Sequence, residues 1–192
     1  MATAALSDFK SALQYGGARP ALFDLTVYIP GQFGGGTRMA GVNGLLNTTF
    51  QCNVSAIPPL TVTPIEKQYF GRTVKIPGDI VYGDLSTTFL NTEDYSIRNA
   101  IEVWMDKINS HSDNLGFSNN TDWVAEVDLN QYDKEGEILM NYVFIDCWPT
   151  TLAEIPLSYD TASDIEQFDV TWAYNYYETF SSSSKVSNGN QS

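Results

Sequence analysis

The stretch from Gln167 to Tyr176 constrains this chain more than any other. Phe168, Val170, Trp172, Tyr174 and Tyr176 take every second position, and Gln167, Asp169, Thr171, Ala173 and Asn175 fill the places between. Side chains alternate across a strand with a period of two and recur near 3.6 in a helix, so strict alternation over this length specifies an extended strand. One face is large and aromatic; the other is small, polar or acidic. The rest of the chain has to supply a core for the first and a wet surface for the second. Trp148-Pro149, a short segment and a turn-rich link from Tyr159 to Asp164 lead into it.

The same period recurs upstream. Between Pro20 and Pro30, Phe23, Leu25, Val27 and Ile29 share one side. In Thr48–Ala56, Phe50, Cys52, Val54 and Ala56 share one. Asp84–Asn91 reads as a further strand. In Asp122–Asn130, Trp123, Ala125, Val127 and Leu129 oppose Val124, Glu126, Asp128 and Asn130. A turn at Lys134–Gly136 returns the chain through Glu137–Trp148. Pro64 and Gly71 argue against a long central strand, so Thr61–Phe70 reads as an extended arm, followed by a strand at Arg72–Ile76.

One helix interrupts the strands. Ile97, Ile101, Trp104, Met105 and Ile108 form a single apolar stripe at helical spacing. Asn91 or Thr92 is the expected cap, Glu93 and Asp94 suit the positive end of the helix dipole, and the helix is expected to end near Ser110. Seven or eight strands around one helix predict a mainly β fold: an antiparallel β-barrel or sandwich with one flanking α-helix.

A chain of 192 residues fits one domain. The expected division is an N-terminal segment, 1–18, with Leu6, Phe9 and Leu13 at helical spacing and suited to docking on a neighbour. The β domain follows at 19–180, then a flexible Ser-rich tail at 181–192. No signal peptide and no run of apolar residues long enough for a membrane span are apparent. The Asn-x-Ser/Thr matches at Asn47, Asn53 and Asn119 are therefore read as chance.

The net charge of −13 is unevenly spread: Glu135–Ser184 holds nine acids and no Lys or Arg. Such a surface disfavours nucleic-acid backbones and anionic membranes, and generic solubility is the simpler account of it. Lys67, Arg72 and Lys75 form the densest basic patch, read either as a solvated loop or as a contact with an acidic partner.

Sites for chemistry are not evident. The six glycines of Gly31–Gly44 lack a following Lys and read as a flexible loop rather than a phosphate cradle. Cys52 and Cys147 have no metal-ligand spacing and read as buried free thiols, with a single bridge as the alternative. His111 is the single histidine, without a nucleophile pattern around it. Glu126 and Asp128 point the same way from one strand, as paired carboxylates acting on a sugar would, but among 23 acids the coincidence is cheap. Asp128–Leu139 starts like a calcium loop, yet has Asp133 at the sixth position and Leu139 at the twelfth. No catalytic, cofactor-binding or metal-binding residue is expected.

An ordered set of short motifs carries a resemblance. It comprises Ala18-Arg19-Pro20-Ala-Leu-Phe23, Phe50-Gln51-Cys52, the Pro58 break leading to Pro77-Gly78-Asp79, and Asn91-Thr-Glu-Asp94. Trp148-Pro149-Thr150, Leu157-Ser-Tyr159-Asp160, Ile165-Glu-Gln-Phe168-Asp-Val-Thr171 and Tyr176-Tyr177-Glu178 complete it. Over roughly Arg19–Glu178 the chain resembles the tail tube family of contractile-tailed bacteriophages. The Gly31–Gly44 loop and the Ser-rich tail match nothing in that pattern.

The resemblance implies a structural, non-enzymatic subunit of the virion tail, assembled in the host bacterial cytoplasm without inserting into a membrane. Six copies would form a ring, and rings would stack into a hollow inner tube. The implied partners are further copies of the chain, the tail sheath, the baseplate, the tail terminator and a tape-measure protein in the lumen. DNA would pass through without specific binding. Strand alternation then nominates Glu126, Asp128, Asp169 and Thr171 as lumen-lining, in an acid-walled bore that repels phosphate. Lys67, Tyr69, Phe70, Arg72 and Lys75 become candidate contacts between rings or subunits. An inner tube of a type VI-like secretion or extracellular injection system is the alternative. A monomeric acidic β-sandwich that binds or hydrolyses carbohydrate is the second.

Overall fold

The computed structural model describes residues 17–28, 52–110, 116, 123–158 and 164–181. The expectations for the N-terminal stripe, the Gly31–Gly44 loop, His111 and the tail beyond residue 181 lie outside these.

The described residues hold nine strands and one helix. The strands are β1 (Phe23–Tyr28), β2 (Cys52–Ser55), β3 (Leu60–Tyr69), β4 (Arg72–Tyr82), β5 (Leu85–Leu90), β6 (Ala125–Tyr132), β7 (Ile138–Leu152), β8 (Gln167–Ala173) and β9 (Tyr176–Phe180). Helix α1 (Ser96–Ile108) lies between β5 and β6. All strand pairings are antiparallel. One path runs β1-β6-β7-β8-β5-β2, with β9 also on β7, and β3 and β4 pair only with each other.

β7 organises the body. Its first part, to Cys147, pairs with β6, and Asn141–Ile145 pairs with β9 on the other side. From Trp148 to Leu152 it pairs with β8 instead. Between the two parts Asp146 has φ +55 and the register opposite β6 slips. An extra residue of this kind bends a strand and re-aims its side chains. The chain thus changes sheet without a break: β1, β6, β7 and β9 form one sheet, and β7, β8, β5 and β2 the other. Both turn their apolar faces to one core with α1.

That core follows the alternation. Leu25 and Val27, Val127 and Leu129, Leu85 and Phe89, and Phe168, Val170 and Trp172 are buried, with Ile97, Ile101 and Trp104 from the helix. Each fully buried aliphatic or Phe side chain contributes roughly 1.5–3 kcal/mol over the exposed state. Trp104 and Trp172 lie 5.8 Å apart, centroid to centroid, so the aromatic face of β8 does pack against the helical stripe. The polar atoms of Thr87, Trp104 and Trp172 in this core are matched. Trp172 Nε1 donates to Thr87 Oγ1 at 2.8 Å, Thr87 Oγ1 donates to the Val170 carbonyl, and Trp104 Nε1 donates to the Trp123 carbonyl.

Several expectations need correction. Among the described residues the path does not close into a barrel, because β1 and β2 at its ends do not pair with each other. A cavity of about 170 Å³ lies between them, lined by Phe23, Ile57, Leu129 and Tyr142, with Ser55 and Gln131 as its polar part. The Gln167–Tyr176 run is two strands rather than one. It breaks after Ala173, and the phase slips, so Tyr177 packs against the core while Tyr176 stays exposed. β2 slips register between Cys52 and Val54, which leaves Val54 exposed.

The helix starts at Ser96, later than its expected caps. Its N-cap is Tyr95 at φ +52 with no side-chain cap bond; Asn91 and Thr92 lie in the turn before it. Asp94 accepts from the Thr92 hydroxyl and the Ser96 N–H, and those bonds hold its carboxyl below the usual range. Both thiols are free. Burial pushes Cys147 up, and Cys52 up to about 12.

The arm at Thr61–Phe70 is the largest departure. β3 and β4, of ten and eleven residues, form a long two-stranded ribbon turned by Phe70 at φ +45 and Gly71 at φ +76. Two consecutive positive φ angles match the right-handed twist of a hairpin, and Gly is at home there. Pro64 faces Pro77 beside a register slip. Prolines are tolerated because each strand of a ribbon has one edge without a ladder.

Candidate functional site

The fold presents three surfaces in place of a pocket of reactive groups: the outward face of each sheet and the ribbon. Among the described residues no three His, Cys, Asp or Glu side chains stand together as metal ligands would.

The outward face of the first sheet is fixed by cross-strand register. Thr26 pairs with Asp128, Asp24 with Asn130 and Tyr28 with Glu126. Asp128 pairs with Val143, and Val143 with Glu178 on β9. Residues paired across a ladder share a face, so Asp24, Glu126, Asp128 and Glu178 all look outward from one surface. Asp24 is tied down by Asn130 Nδ2 at 2.9 Å and the Tyr132 hydroxyl at 2.7 Å. Asn141 Nδ2 donates in turn to Asn130 Oδ1 at 2.6 Å.

This crowding of acids has an electrostatic consequence. Partial burial pushes the Asp128 carboxyl above its ordinary range; a hydrogen bond from Tyr28 opposes the rise, and the nearby Asp24 charge adds to it. Asp128 Oδ1 is buried without a hydrogen-bond partner. Burial, with the Asp128 charge next, pushes the Tyr28 hydroxyl up. Burial and the bond to Asp24 push Tyr132 up to about 12. The tyrosines therefore stay neutral donors beside the carboxylates.

The second sheet carries the other pair. Asp169 pairs with Thr88 and accepts its hydroxyl at 2.6 Å. Thr171 pairs with Ser86, and Asn53 Nδ2 donates to Gln167 Oε1. This face is small and polar, with Asp169 as its carboxylate. Glu126 and Asp128 are thus brought together, as are Asp169 and Thr171, but the two pairs stand on different sheets. Both sheets turn inward to one core, so their outward faces look in different directions. Period-two reading told which residues share a face of a strand; it carried no signal for which sheet a strand joins. It also missed Asp24 and Glu178, which only register adds to the Asp128 face.

The ribbon carries Lys67, Tyr69, Phe70, Arg72 and Lys75, all exposed. Tyr69 and Phe70 meet edge to face at the tip, and Phe70 is 90% exposed. Lys75 pairs with Glu66 of the facing strand at 3.1 Å, so its charge is matched within the chain. At the root, Tyr82 packs against Tyr174 and Tyr177, and the Tyr174 hydroxyl donates to the Gly83 carbonyl at 2.6 Å. An aromatic cluster therefore fixes where the ribbon leaves the body.

Residues 18–180 match the family described as phage tail tube protein. Similar proteins include tail tube protein gp19 of Enterobacteria phage T4, 25% identical over 162 residues, which covers 84% of this chain and 91% of that one. The tail tube protein of Serratia phage KSP90 is 26% identical over 115 residues, 60% of this chain and 64% of that one. Among solved structures, the anti-feeding prophage tube-terminating cap aligns with a TM-score of 0.61 at 14% identity, covering 86% of this chain and 92% of that one. The sheath–tube complex of the extracellular contractile injection system PVC, in its extended state, aligns at 0.56 and 17%, covering 90% and 97%.

Proposed function

The chain belongs to the phage tail tube protein family, and from that premise we propose that it is the structural subunit of a hollow phage tail tube in the virion. The observation that carries this reading is the family match across residues 18–180, which takes in every described strand. The fold likeness to contractile injection systems supports the same architecture. The sequence relatives belong to phages, which favours a phage tail over a secretion or injection tube.

Six copies form a ring, and rings stack. The open path explains what closes the ring: among the described residues β2 and β9 each leave an edge that a neighbouring copy can cover. Exposed edges invite unwanted pairing, and ring formation removes them. Sheath, baseplate and terminator proteins pack on the tube, the tape-measure protein occupies it during assembly, and DNA passes through it. The role is structural rather than enzymatic.

A ring of subunits turns one sheet face to the bore. Four carboxylates stand on the outward face of the first sheet against one on the second, so the bore lies against Glu126 and Asp128, joined by Asp24 and Glu178. Asp169 and Thr171 then belong to another wall of the subunit. Six copies at −13 carry −78 per ring by formal count. At physiological salt this acts over about 8 Å, enough to keep a phosphate polymer off the wall. Electron microscopy of the purified protein tests the assembly: stacked rings or tubes support it, and dispersed monomers at every concentration overturn it. Cysteines at Glu126 and Asp169, labelled in intact tubes with a reagent too large for the bore, test the wall. Labelling at position 126 but not 169 would reverse the assignment.

A further inference from the structure

The inward series of β6 breaks its own pattern. Val127 and Leu129 are buried in the core, and the next position on that face is Gln131. Gln131 pairs with Phe23 of β1, and Leu129 with Tyr142 of β7. Residues paired across a ladder share a face, so Phe23, Leu129, Gln131 and Tyr142 all look into the molecule. They line the cavity of about 170 Å³ between β1 and β2, and Ser55 of β2 and Ile57 just beyond it add to its wall.

A hydrophobe at position 131 would extend the core, so the amide asks for another use. Its side chain makes no hydrogen bond among the described residues, whereas Asn130 and Tyr132 on the opposite face are both engaged. Ser55 Oγ is buried without a hydrogen-bond partner. Buried polar groups are paired in nearly every native structure, and each exception asks for a reason. Two uncommitted polar side chains on one otherwise apolar cavity suit a ligand that brings its own donor and acceptor. Among the described residues none of those lining the cavity is charged. Asp24 and Asp128 stand on the outward face of the same strands. Burial, and after it the neighbouring Tyr177, pushes the Tyr142 hydroxyl up, so that ring stays neutral as well. An ion entering here would lose its hydration and meet no countercharge.

We propose that this cavity binds a small uncharged molecule with one flat ring and one hydroxyl, of the size and chemistry of phenol. Volume sets the size: an apolar cavity of about 150 Å³ takes a benzene ring. Phe23, Leu129, Ile57 and Tyr142 supply the apolar wall for the ring, and Gln131 and Ser55 the polar end for the hydroxyl. Ile57 is 48% exposed and marks the mouth, so entry does not require the core to open. The bound molecule touches β1 and β2 together, the two strands at the ends of the sheet path, and so ties ends that do not pair with each other. The inference concerns the folded body alone and is independent of the tube reading.

Titration calorimetry of the full chain with phenol, and with benzene as the same ring without the hydroxyl, tests this. Saturable binding of about one phenol per chain is expected, about tenfold tighter than benzene. Ile57→Trp fills the mouth from an exposed position and should abolish binding of both. Gln131→Leu should weaken phenol by about tenfold and leave benzene within about twofold. It removes an uncommitted amide and keeps the fold, so it decides the case even where Ile57→Trp does not fold. A wild-type chain without saturable phenol binding overturns the proposal, and so does undiminished binding by Ile57→Trp. Equal affinity for the two rings, or equal losses of both in Gln131→Leu, overturns it as well. A chain that binds no phenol yet forms stacked rings leaves the tube reading standing.

Discussion

The body and the ribbon are made of the same kind of strand and are held together in different ways. In the body, β5 and β8 alternate between solvent and a closed core, and Leu85, Thr87, Phe89, Phe168, Val170 and Trp172 are buried. In the ribbon, twenty-one strand residues form an antiparallel ladder with one register slip, and none of them is buried. Backbone pairing runs through both; burial does not. Net hydrogen-bond stabilisation is modest because water competes for the same groups, so the body's stability comes from its side chains. The ribbon's side chains contribute little until something covers them. The body is a folding unit, and the ribbon is a reach.

The sharpest way to break the comparison is in the core. Trp172→Ala should cost roughly 3–5 kcal/mol, because it empties the contact with Trp104 and leaves a cavity. Chemical denaturation of the monomer reads this directly. Thr87→Val should cost about 1–3 kcal/mol, because Trp172 Nε1 is left buried without an acceptor. Gly78→Ala tests the middle of the ribbon, where a Cβ would stand 2.6 Å from the Thr63 carbonyl oxygen. Overpacking there should cost about 1–3 kcal/mol of local order, seen as faster amide exchange across β3 and β4 with the body's melting temperature unchanged. A ribbon variant that melts the body would erase the distinction.

The smallest effect concerns the acid face. Asp128 has its folded carboxyl raised above the ordinary 3.8. The unfolded chain therefore ionises first, and folding loses stability as pH rises from the unfolded value through the raised one. Asp128→Asn should give a small gain in melting temperature at neutral pH that vanishes well below pH 3.8. A gain that persists at low pH would assign it to packing.

What the sequence disclosed divides along the same line. The inward residues of β1, β6 and β8 were legible because one face is buried, and burial enforces the period. The ribbon was not, because Pro64 and Gly71 read as breakers by the rules of a central strand. A two-stranded ladder relaxes those rules. β7 was legible only to Trp148, since the bulge at Asp146 resets the phase and the buried Cys147 and Pro149 no longer continue the pattern of Tyr142 and Phe144. Tyr176 failed for the same reason one turn later. For the candidate surfaces, Glu126 and Asp128 were found as a pair because they share a strand. Their separation from Asp169 and Thr171 is a property of topology, which no local period encodes.

The strand that changes sheets has a mechanical meaning. A force that shears the two sheets past each other does not meet side-chain friction alone; it must stretch the covalent backbone through Asp146. Ladders to β6 and β9 anchor one half of that strand and the ladder to β8 anchors the other, while Asn175 Nδ2 bridges to Asp146 Oδ2 at 2.8 Å across the corner. Strain entering at the ribbon root through Tyr174 and Tyr177 arrives at this corner. Each subunit therefore behaves as a rigid truss with β7 as its common spar, and any bending of an assembly built from it is displaced to the joints between copies.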